Sequence, residues 1–351
     1  MSYIKKPSVT HPSLKKNALG LTLRDYEGSM STLCAGCGHD SITAAIVRAL
    51  HELDIEPHML AKLSGIGCSS KTPTYFVSNA HGFNSAHGRM PAITTGAAAA
   101  NRSLTYIGVS GDGDSMSIGL GQLCHAIRRN VNMLYVIENN GVYGLTKGQF
   151  SASADVGSKS KKGEANTQPP LDPVMMALTM GASFVARSFS GDKEQLVPIL
   201  KAGLLHKGFG LVDVISPCVT FNDHEGSTKS YAYTRKHKLP VIEADFVPHK
   251  SEITARLPEG EATRVTLHDG SSVVFRKVSK DFDPTDRSTV LAHLIERQGA
   301  GEIPVGLLYM NEEGVEMHEA AKTVERPLVD LPYSELCPGS AALEALQKRY
   351  V

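Results

Sequence analysis

The residues with the clearest chemical potential follow two neighbouring apolar segments of the chain. Asp112 stands between two glycines after the apolar run at 104–109, and Asn140 follows the next run at 131–137. A carboxylate, an amide oxygen and backbone carbonyls are the oxygen donors that Mg²⁺ prefers, and the flanking glycines would let backbone N–H groups approach a phosphate. The pattern predicts a cation that bridges a diphosphate, although a Gly/Asp turn taken alone is more often a plain connection between buried strands.

A second group of chemically capable residues is formed by cysteines. The chain has six, too few and too scattered for a disulfide framework, which favours metal or redox use. Cys34 and Cys37 form a CxxC pair, while Cys68 and Cys218 each follow a predicted strand. Four thiolates gathered from dispersed loops suit either zinc or a [4Fe–4S] cluster, and the residues alone leave these two readings level.

The elements around Asp112 and Asn140 are predicted to form one βαβ unit. The two apolar runs have the composition of buried strands, and the residues between them repeat apolar side chains at helical spacing from Ser115 onward. Strands joined by a helix within so short a span are normally parallel, so their carboxyl ends share one edge of the sheet. Open α/β sheets bind their ligands at this edge.

These motifs together resemble the β subunits of the 2-oxoacid:ferredoxin oxidoreductases. The sequence Gly111-Asp112-Gly113, followed by Asn139-Asn140 at the end of the next strand, is similar to the thiamine diphosphate motif. Asp114 and the segment YGLTKGQ at 143–149 narrow the resemblance to the 2-oxoglutarate type, also called 2-oxoglutarate synthase.

The resemblance also bears on the cysteines. In this family a [4Fe–4S] cluster lies beside thiamine diphosphate and is held by cysteines in CxGCGH-, GIGCS- and SPC-type segments. Segments of all three types occur here, at 34–39, 65–69 and 216–218, with Ala35 where a proline often stands. The cluster ligands that this implies are Cys34, Cys37, Cys68 and Cys218.

The other site residues are likewise implied by the resemblance. Mg²⁺ would be held by Asp112, Asn140 and the carbonyl of Val142. The substrate would be contacted by Lys71, Leu145 and Lys147. The thiamine diphosphate contacts would be Ile66, Gly67, His87, Gly111, Asp112, Gly113, Asp114, Asn140, Val142, Gly144, Leu145 and Thr146.

Lys147 carries the prediction of substrate class. It replaces the glycine usual in pyruvate-specific relatives, and a cation there would give a second carboxylate a charge-assisted partner. Most lysines are surface charges, which is the alternative reading for Lys71 and Lys147.

The implied activity is the reversible, coenzyme A-dependent oxidative decarboxylation of 2-oxoglutarate to succinyl-CoA, with electrons passing through the cluster to ferredoxin. The glutamate that activates thiamine is not identifiable here and comes from the α subunit in this family, so an αβ or (αβ)₂ assembly is expected and the chain alone should be inactive. Two alternatives are an enzyme acting on pyruvate or a broad range of 2-oxoacids, and a non-catalytic assembly subunit stabilised by zinc.

Composition sets the remaining expectations. With 351 residues, a formal net charge of zero and 41% hydrophobic residues, the chain has room for a buried core and gives no electrostatic argument for nucleic acid or a membrane surface. We expect a cytoplasmic protein with an α/β fold, a doubly wound parallel sheet of the thiamine-diphosphate-binding type followed by an accessory extension. The predicted divisions are an N-terminal arm (1–30), the thiamine diphosphate domain with the cluster ligands (31–238) and a C-terminal extension (239–351).

Three local expectations complete the prediction. Asp40 is expected to cap the helix that follows the CxxC pair. Residues 81–90 are expected to form a loop before a helix at 92–103. Residues 151–170, rich in Ser, Lys, Gly and Pro, are expected to form a mobile surface loop.

Overall fold

A computed structural model describes residues 11–160, 163–243, 262–266, 272–277 and 282–350. The strands in it are β1 (Leu60–Ser64), β2 (His81–Asn84), β3 (Thr105–Gly111), β4 (Met133–Asn139), β5 (Val142–Tyr143), β6 (Gln149–Phe150), β7 (Phe184–Phe189), β8 (Phe209–Ile215), β9 (Lys238–Glu243), β10 (Ala262–Thr266), β11 (Ser272–Lys277) and β12 (Ile303–Met310). The helices are α1 (Gly38–Glu52), α2 (Met90–Ala100), α3 (Leu120–Arg128), α4 (Pro173–Met180), α5 (Lys193–Leu205), α6 (Tyr231–His237), α7 (Arg287–Gly299), α8 (Met317–Ala321), α9 (Tyr333–Leu336) and α10 (Gly339–Gln347).

One large sheet runs through the molecule in the order β10-β11-β9-β12-β7-β8-β4-β3-β1-β2. The strands from β7 to β2 in this order are all parallel to their neighbours. The predicted βαβ unit is confirmed, since β3 and β4 pair in parallel with Ile107 opposite Leu134. The parallel strands β3, β4, β7 and β8 are buried along almost their whole length, as strands covered on both faces must be.

Helices cover both faces of the parallel strands, which makes the sheet doubly wound as predicted. On one face, α1 and α5 contribute apolar side chains such as Ile46 and Leu200 to the core. On the other, α2, α3, α4 and α7 contribute side chains such as Leu123, Leu178 and Leu294. Burial of these side chains holds the strand ends in fixed positions.

The predicted C-terminal extension contributes strands to the same sheet. Strand β12 pairs antiparallel to β7 and parallel to β9, so the sheet is mixed at this side. The extension is therefore joined to the parallel strands through backbone hydrogen bonds as well as through packing. The residue boundaries of the three divisions stay a prediction.

Helix α4 illustrates how local sequence sets an element. Asp172 precedes it and accepts hydrogen bonds from the backbone N–H groups of Val174 and Met175, Pro173 occupies the first turn, and Gly181 ends the helix with a φ of 84°. The sequence predicts helices at 173–180 and 193–205, and α4 and α5 begin and end at these residues.

Three local expectations are wrong. Asp40 lies in the first turn of α1 and Cys37 takes the capping position, because the backbone turns directly after the CxxC pair. Residues 81–84 form the edge strand β2, whose backbone pairs with β1 although its side chains are exposed. The segment 151–170 is not a surface loop throughout, since Ser151, Ser153 and Ala154 are buried against the end of β3 and β4.

The described part of the N-terminal arm lies on its own subunit. Tyr26 is fully buried beside α1 and donates a hydrogen bond to the carbonyl of Ile55 (2.8 Å), while Asn17 donates to the Tyr26 hydroxyl (3.0 Å). In the described residues we find no helix with the combination of length and apolar composition that crossing a bilayer requires.

Candidate functional site

The residues predicted to do chemistry meet at the carboxyl ends of the parallel strands. Asp112 follows β3, Asn140 follows β4, Cys68 follows β1 and Cys218 follows β8. These four strands run in the same direction, so their carboxyl ends form one edge. The backbone topology alone therefore brings oxygen and sulfur donors together.

A cavity opens at this edge and collects every predicted thiamine diphosphate contact. Besides those residues its walls contain Cys68, Ser69 and Tyr143, which the sequence did not single out as cofactor contacts. Ile66 and Leu145 lie on the rim with 39% and 43% of their surfaces exposed. The cavity thus has a polar floor and an open apolar rim.

Asp112 is held rigidly at the floor of this cavity. The carboxylate is buried, and its Oδ2 accepts hydrogen bonds from the Gly141 N–H (3.1 Å), the Ser153 hydroxyl (2.5 Å) and the Ser151 hydroxyl. Within the described residues Oδ1 accepts one long hydrogen bond, from the Asn140 N–H (3.4 Å). Oδ1 is therefore the oxygen with lone pairs left for a cation.

Asn140 is placed beside that carboxylate by its own turn. Its Oδ1 accepts from the Val142 N–H (3.0 Å), and its carbonyl accepts from the Asn222 side chain (2.8 Å). A side-chain oxygen with a second lone pair, a carboxylate oxygen and the turn carbonyls form the kind of donor set that Mg²⁺ takes when it also binds phosphate oxygens. The residues present fit a magnesium ion on a diphosphate.

Two glycines leave room for such a ligand. A methyl group on Gly111 would lie 2.7 Å from the Ser69 hydroxyl, and one on Gly113 would lie 2.5 Å from the Tyr143 ring. Only glycine permits these close approaches, which keep the backbone N–H groups accessible from the cavity. The chain leaves β3 in a π-helical turn, Gly113–Ile118, before α3 begins, so the predicted helix starts later than Ser115.

Asp114 is engaged with the neighbouring loops. Its carboxylate accepts from the backbone N–H groups of Ile66 (3.1 Å) and Gly88 (2.7 Å), from the Ser110 hydroxyl (2.5 Å) and from His87. The His87 ring also makes an edge-on contact with Tyr143, with 6.1 Å between ring centroids. Asp114 thereby fixes the loops that carry Ile66 and His87.

The four predicted cluster cysteines converge next to the same cavity. A methyl group on Gly144 would lie 3.4 Å from the sulfur of Cys68 and 3.5 Å from that of Cys218. Cys34 interacts electrostatically with both of these cysteines, and Cys37 does so as well. Thr220 contacts the Cys34 sulfur at 3.7 Å. Gly144 also lines the cavity, so the oxygen and sulfur groups share a wall.

Burial favours the protonated form of three of these thiols by raising their pKa values. It raises the pKa of Cys37 to about 12 and also raises the pKa of Cys68 and Cys218. Backbone N–H groups oppose this effect by donating to sulfur, from His39 to Cys37 and from Thr220 to Cys218. Such hydrogen bonds are typical of sulfurs that ligate iron, where they adjust the reduction potential.

Within the described residues no group of three or more His, Cys, Asp or Glu side chains is placed to hold a single metal ion.

A buried acid between the two donor groups was missed by sequence reasoning. Glu138 is fully buried, its two carboxyl oxygens share the proton of the Thr72 hydroxyl, which lies 3.0 Å from each, and it lies 3.5 Å from His39. Burial raises the pKa of Glu138 well above its usual value and lowers that of His39 to about 4. The glutamate directly before the Asn-Asn pair was the available signal, because a charged residue in an otherwise apolar strand indicates a partnered group.

The two predicted substrate lysines have different surroundings. Lys71 lies close enough to Cys68 for its charge to favour the Cys68 thiolate. Lys147 is exposed, follows the cavity residues Leu145 and Thr146, and has a φ of 83°. This left-handed conformation costs an ordinary residue about 1 kcal/mol that a glycine would not lose.

Comparisons with known proteins agree with this geometry. Residues 65–214 match the family described as the thiamine pyrophosphate enzyme, C-terminal TPP binding domain. The chain is 34% identical over 280 residues to the 2-oxoacid:ferredoxin oxidoreductase subunit beta of a Sulfolobus species, which covers 80% of this chain and 81% of that protein. It is 41% identical over 220 residues to the 2-oxoglutarate oxidoreductase subunit KorB of Mycobacterium tuberculosis, covering 60% of this chain and 58% of that one.

A solved structure is also similar. A chain of the 2-oxoglutarate:ferredoxin oxidoreductase from Magnetococcus marinus, determined with 2-oxoglutarate, coenzyme A and succinyl-CoA bound, superposes with a TM-score of 0.71 at 28% sequence identity. The match covers 92% of this chain and 98% of that one. The fold is therefore that of this solved chain over most of its length.

Proposed function

Because the chain belongs to the β subunits of the 2-oxoacid:ferredoxin oxidoreductases, we propose that it forms part of an enzyme converting 2-oxoglutarate and coenzyme A into succinyl-CoA, carbon dioxide and two electrons for ferredoxin. The reaction is reversible in this proposal. One observation carries it: Gly144 lines the cavity that holds the oxygen donors, and it also lies against the sulfurs of Cys68 and Cys218. An oxidative decarboxylase needs an electron acceptor next to the site of decarboxylation, and this wall would provide both.

The cofactor side of the proposal rests on the oxygen donors. Asp112, Asn140 and the carbonyl of Val142 would hold Mg²⁺ on the diphosphate of thiamine diphosphate, which supplies the carbanion chemistry that releases carbon dioxide from a 2-oxoacid. Gly111 and Gly113 leave the backbone accessible to the phosphates. Burial of the Asp112 carboxylate strengthens its attraction for the cation, because little water screens it.

The electron-transfer side rests on the thiols. Cys34, Cys37, Cys68 and Cys218 would ligate a [4Fe–4S] cluster. Backbone N–H groups on Cys37 and Cys218 would stabilise the ligated sulfurs. The exposure of Cys34 gives this group one side facing solvent, where ferredoxin could approach.

The preference for 2-oxoglutarate rests on Lys147. A lysine kept in a left-handed conformation has a cost that natural sequences usually avoid, and such strain tends to occur at functional positions. The cation lies beside the cavity rim, where it would pair with the second carboxylate of the substrate, while Lys71 would meet the first. An enzyme with broad 2-oxoacid specificity remains the second candidate, since several relatives are named only for 2-oxoacids.

A partner subunit completes the site in this proposal. A β subunit implies a multi-subunit enzyme with an α partner, and the open rim at Ile66 and Leu145 leaves apolar surface for it to cover. The activating glutamate would come with that subunit, in an αβ or (αβ)₂ assembly.

The test is to co-purify the chain with its α partner without oxygen and to measure coenzyme A-dependent ferredoxin reduction. The proposal predicts faster reduction with 2-oxoglutarate than with pyruvate, and no turnover by the chain alone. Equal rates with both acids would favour the broad-specificity enzyme. A colourless complex with one zinc per chain and no turnover would favour the assembly subunit.

A further inference from the structure

The Asp112 carboxylate is held from behind by two serines outside the recognised motifs. Ser151 and Ser153 follow β6, and both are buried, with 6% and 1% of their surfaces exposed. Both hydroxyls donate to Oδ2, the oxygen turned away from the proposed cation, and the Gly141 N–H donates to it as well. Rotation of the carboxylate would break these hydrogen bonds.

Ser153 is itself fixed by the strand next to β3. Its hydroxyl lies 2.8 Å from the Asn139 side-chain oxygen as well as 2.5 Å from Asp112, so it shares one proton between two acceptors. The Asn139 amide in turn donates to Asp213 Oδ1 (3.0 Å), and both residues are buried. The position of Ser153 therefore depends on a residue of β8.

The hydrogen-bonded chain continues into a buried ion network. Arg187 on β7 donates to Asp213 Oδ2 (2.8 Å) and to Asp172 Oδ1 (2.6 Å), and it is only 5% exposed. Asp172 caps α4 and also accepts from Gln298 of α7. Charges buried in this way rarely add stability over apolar side chains of the same volume, so their value is in fixing one arrangement.

We infer that Ser153, supported by the Asn139–Asp213–Arg187 network, is a positioning residue that turns Asp112 Oδ1 toward the bound cation. This inference rests on the proposed function, since the cation is part of it. Ser151 assists through the same oxygen. The network explains why a segment with the composition of a surface loop is buried at its start.

The test measures metal affinity directly in the complex with the α partner. Mn²⁺ replaces Mg²⁺ in the presence of thiamine diphosphate, and electron paramagnetic resonance reports the free and bound ion. Ser153→Ala is expected to weaken Mn²⁺ binding by about ten- to a hundredfold, the usual effect of losing a group that orients a metal ligand. Ser151→Ala is expected to weaken it in the same direction.

The matched control is Ser188→Ala. Ser188 is also fully buried and donates to Gln195 (3.1 Å), outside the network. Its loss should lower thermal stability comparably to the loss of Ser153 without changing Mn²⁺ affinity. Unchanged affinity in Ser153→Ala would overturn the inference, as would equal weakening in the control. Failure of the wild-type complex to bind Mn²⁺ with thiamine diphosphate would instead contradict the proposed function.

Discussion

The oxygen and sulfur halves of the site differ in how far the protein alone organises them. Asp112 is buried, and one of its oxygens already accepts three hydrogen bonds. In the sulfur half, Cys34 is exposed, and burial raises the pKa of Cys37 to about 12, so its thiol keeps its proton. In the proposed function the oxygen half is preorganised for a cation, whereas the thiols of the sulfur half would lose their protons only when a metal group binds.

This difference has a physical basis. A hard carboxylate needs to be oriented before a small cation arrives, and hydrogen bonds do this without neutralising its charge. Cysteines ligate iron as thiolates, so binding of the proposed cluster would displace their protons and help to organise the loops that carry them. The two halves should therefore fail independently when a donor is removed from either.

The largest effect is expected from Cys218→Ala in the complex with the α partner. Loss of one sulfur ligand should abolish the cluster, its broad visible absorption and ferredoxin reduction, while thiamine diphosphate still binds. Iron analysis and absorption spectra check this outcome. Cys124→Ala is the matched control, because Cys124 lies on α3 outside this group and should leave the iron content unchanged. Full iron content in Cys218→Ala would contradict the assignment of this ligand.

Asp112→Asn should impair thiamine diphosphate binding and leave the cluster in place, the reverse of the effect expected for Cys218→Ala. Replacing the charged oxygen donor is expected to weaken thiamine diphosphate binding in the presence of Mg²⁺ by at least about a hundredfold, since even the groups that orient a ligand contribute tenfold or more. Titration calorimetry on the complex measures the affinity. The iron content should stay at the wild-type level, and loss of the cluster in this variant would show that the halves are not independent.

A smaller effect is expected from Lys147→Gly. Glycine removes the left-handed strain and should raise the free energy of unfolding by up to about 1 kcal/mol, offset in part by its greater freedom in the unfolded chain. At the same time the variant should lose its preference for 2-oxoglutarate over pyruvate. Urea unfolding and steady-state rates with both acids measure the two effects. A variant that is more stable but keeps the preference for 2-oxoglutarate would show that Lys147 is a surface charge without a role in specificity.

The smallest effect is expected at His206, which precedes β8 at the amino ends of the parallel strands. This residue is remote from the site and serves as a reference for both halves. His206 contacts the Ser183 hydroxyl at 2.7 Å, and burial lowers the pKa of His206 to about 4, as it does for His39. Below the unfolded value of about 6.5, the unfolded chain binds more protons than the folded one, so stability should fall as the pH drops from 6.5 toward 4.

His206→Gln isolates this contribution. It should reduce the loss of stability between pH 7 and pH 5, as measured by urea unfolding at both values, without affecting iron or thiamine content. A variant whose unfolding free energy changes with pH as steeply as that of the wild type would contradict the assignment.

The sequence predicted the structural elements that depend on residues close to one another in the chain. The apolar runs around Asp112 are local, and they located the βαβ unit. Contacts between distant residues carried no such pattern: Thr72 meets Glu138, and Arg187 joins Asp172 to Asp213, only after the sheet has formed.

The extension shows the same limit. Strand β12 pairs with β7, which lies more than a hundred residues before it in the chain. No periodic pattern in the sequence indicates which strand β12 pairs with or which residues face each other. The composition of residues 151–170 is typical of turns and predicts a surface loop. Ser151 and Ser153 are nevertheless buried, because both hydroxyls donate hydrogen bonds to Asp112.

The central claim is that one edge of the sheet binds both thiamine diphosphate and an iron–sulfur cluster. Its most direct test is metal and cofactor analysis of the complex purified with its α partner without oxygen. The proposal predicts about four iron, about four sulfide and about one thiamine diphosphate per copy of this chain. One zinc per chain, with neither iron nor thiamine, would contradict it.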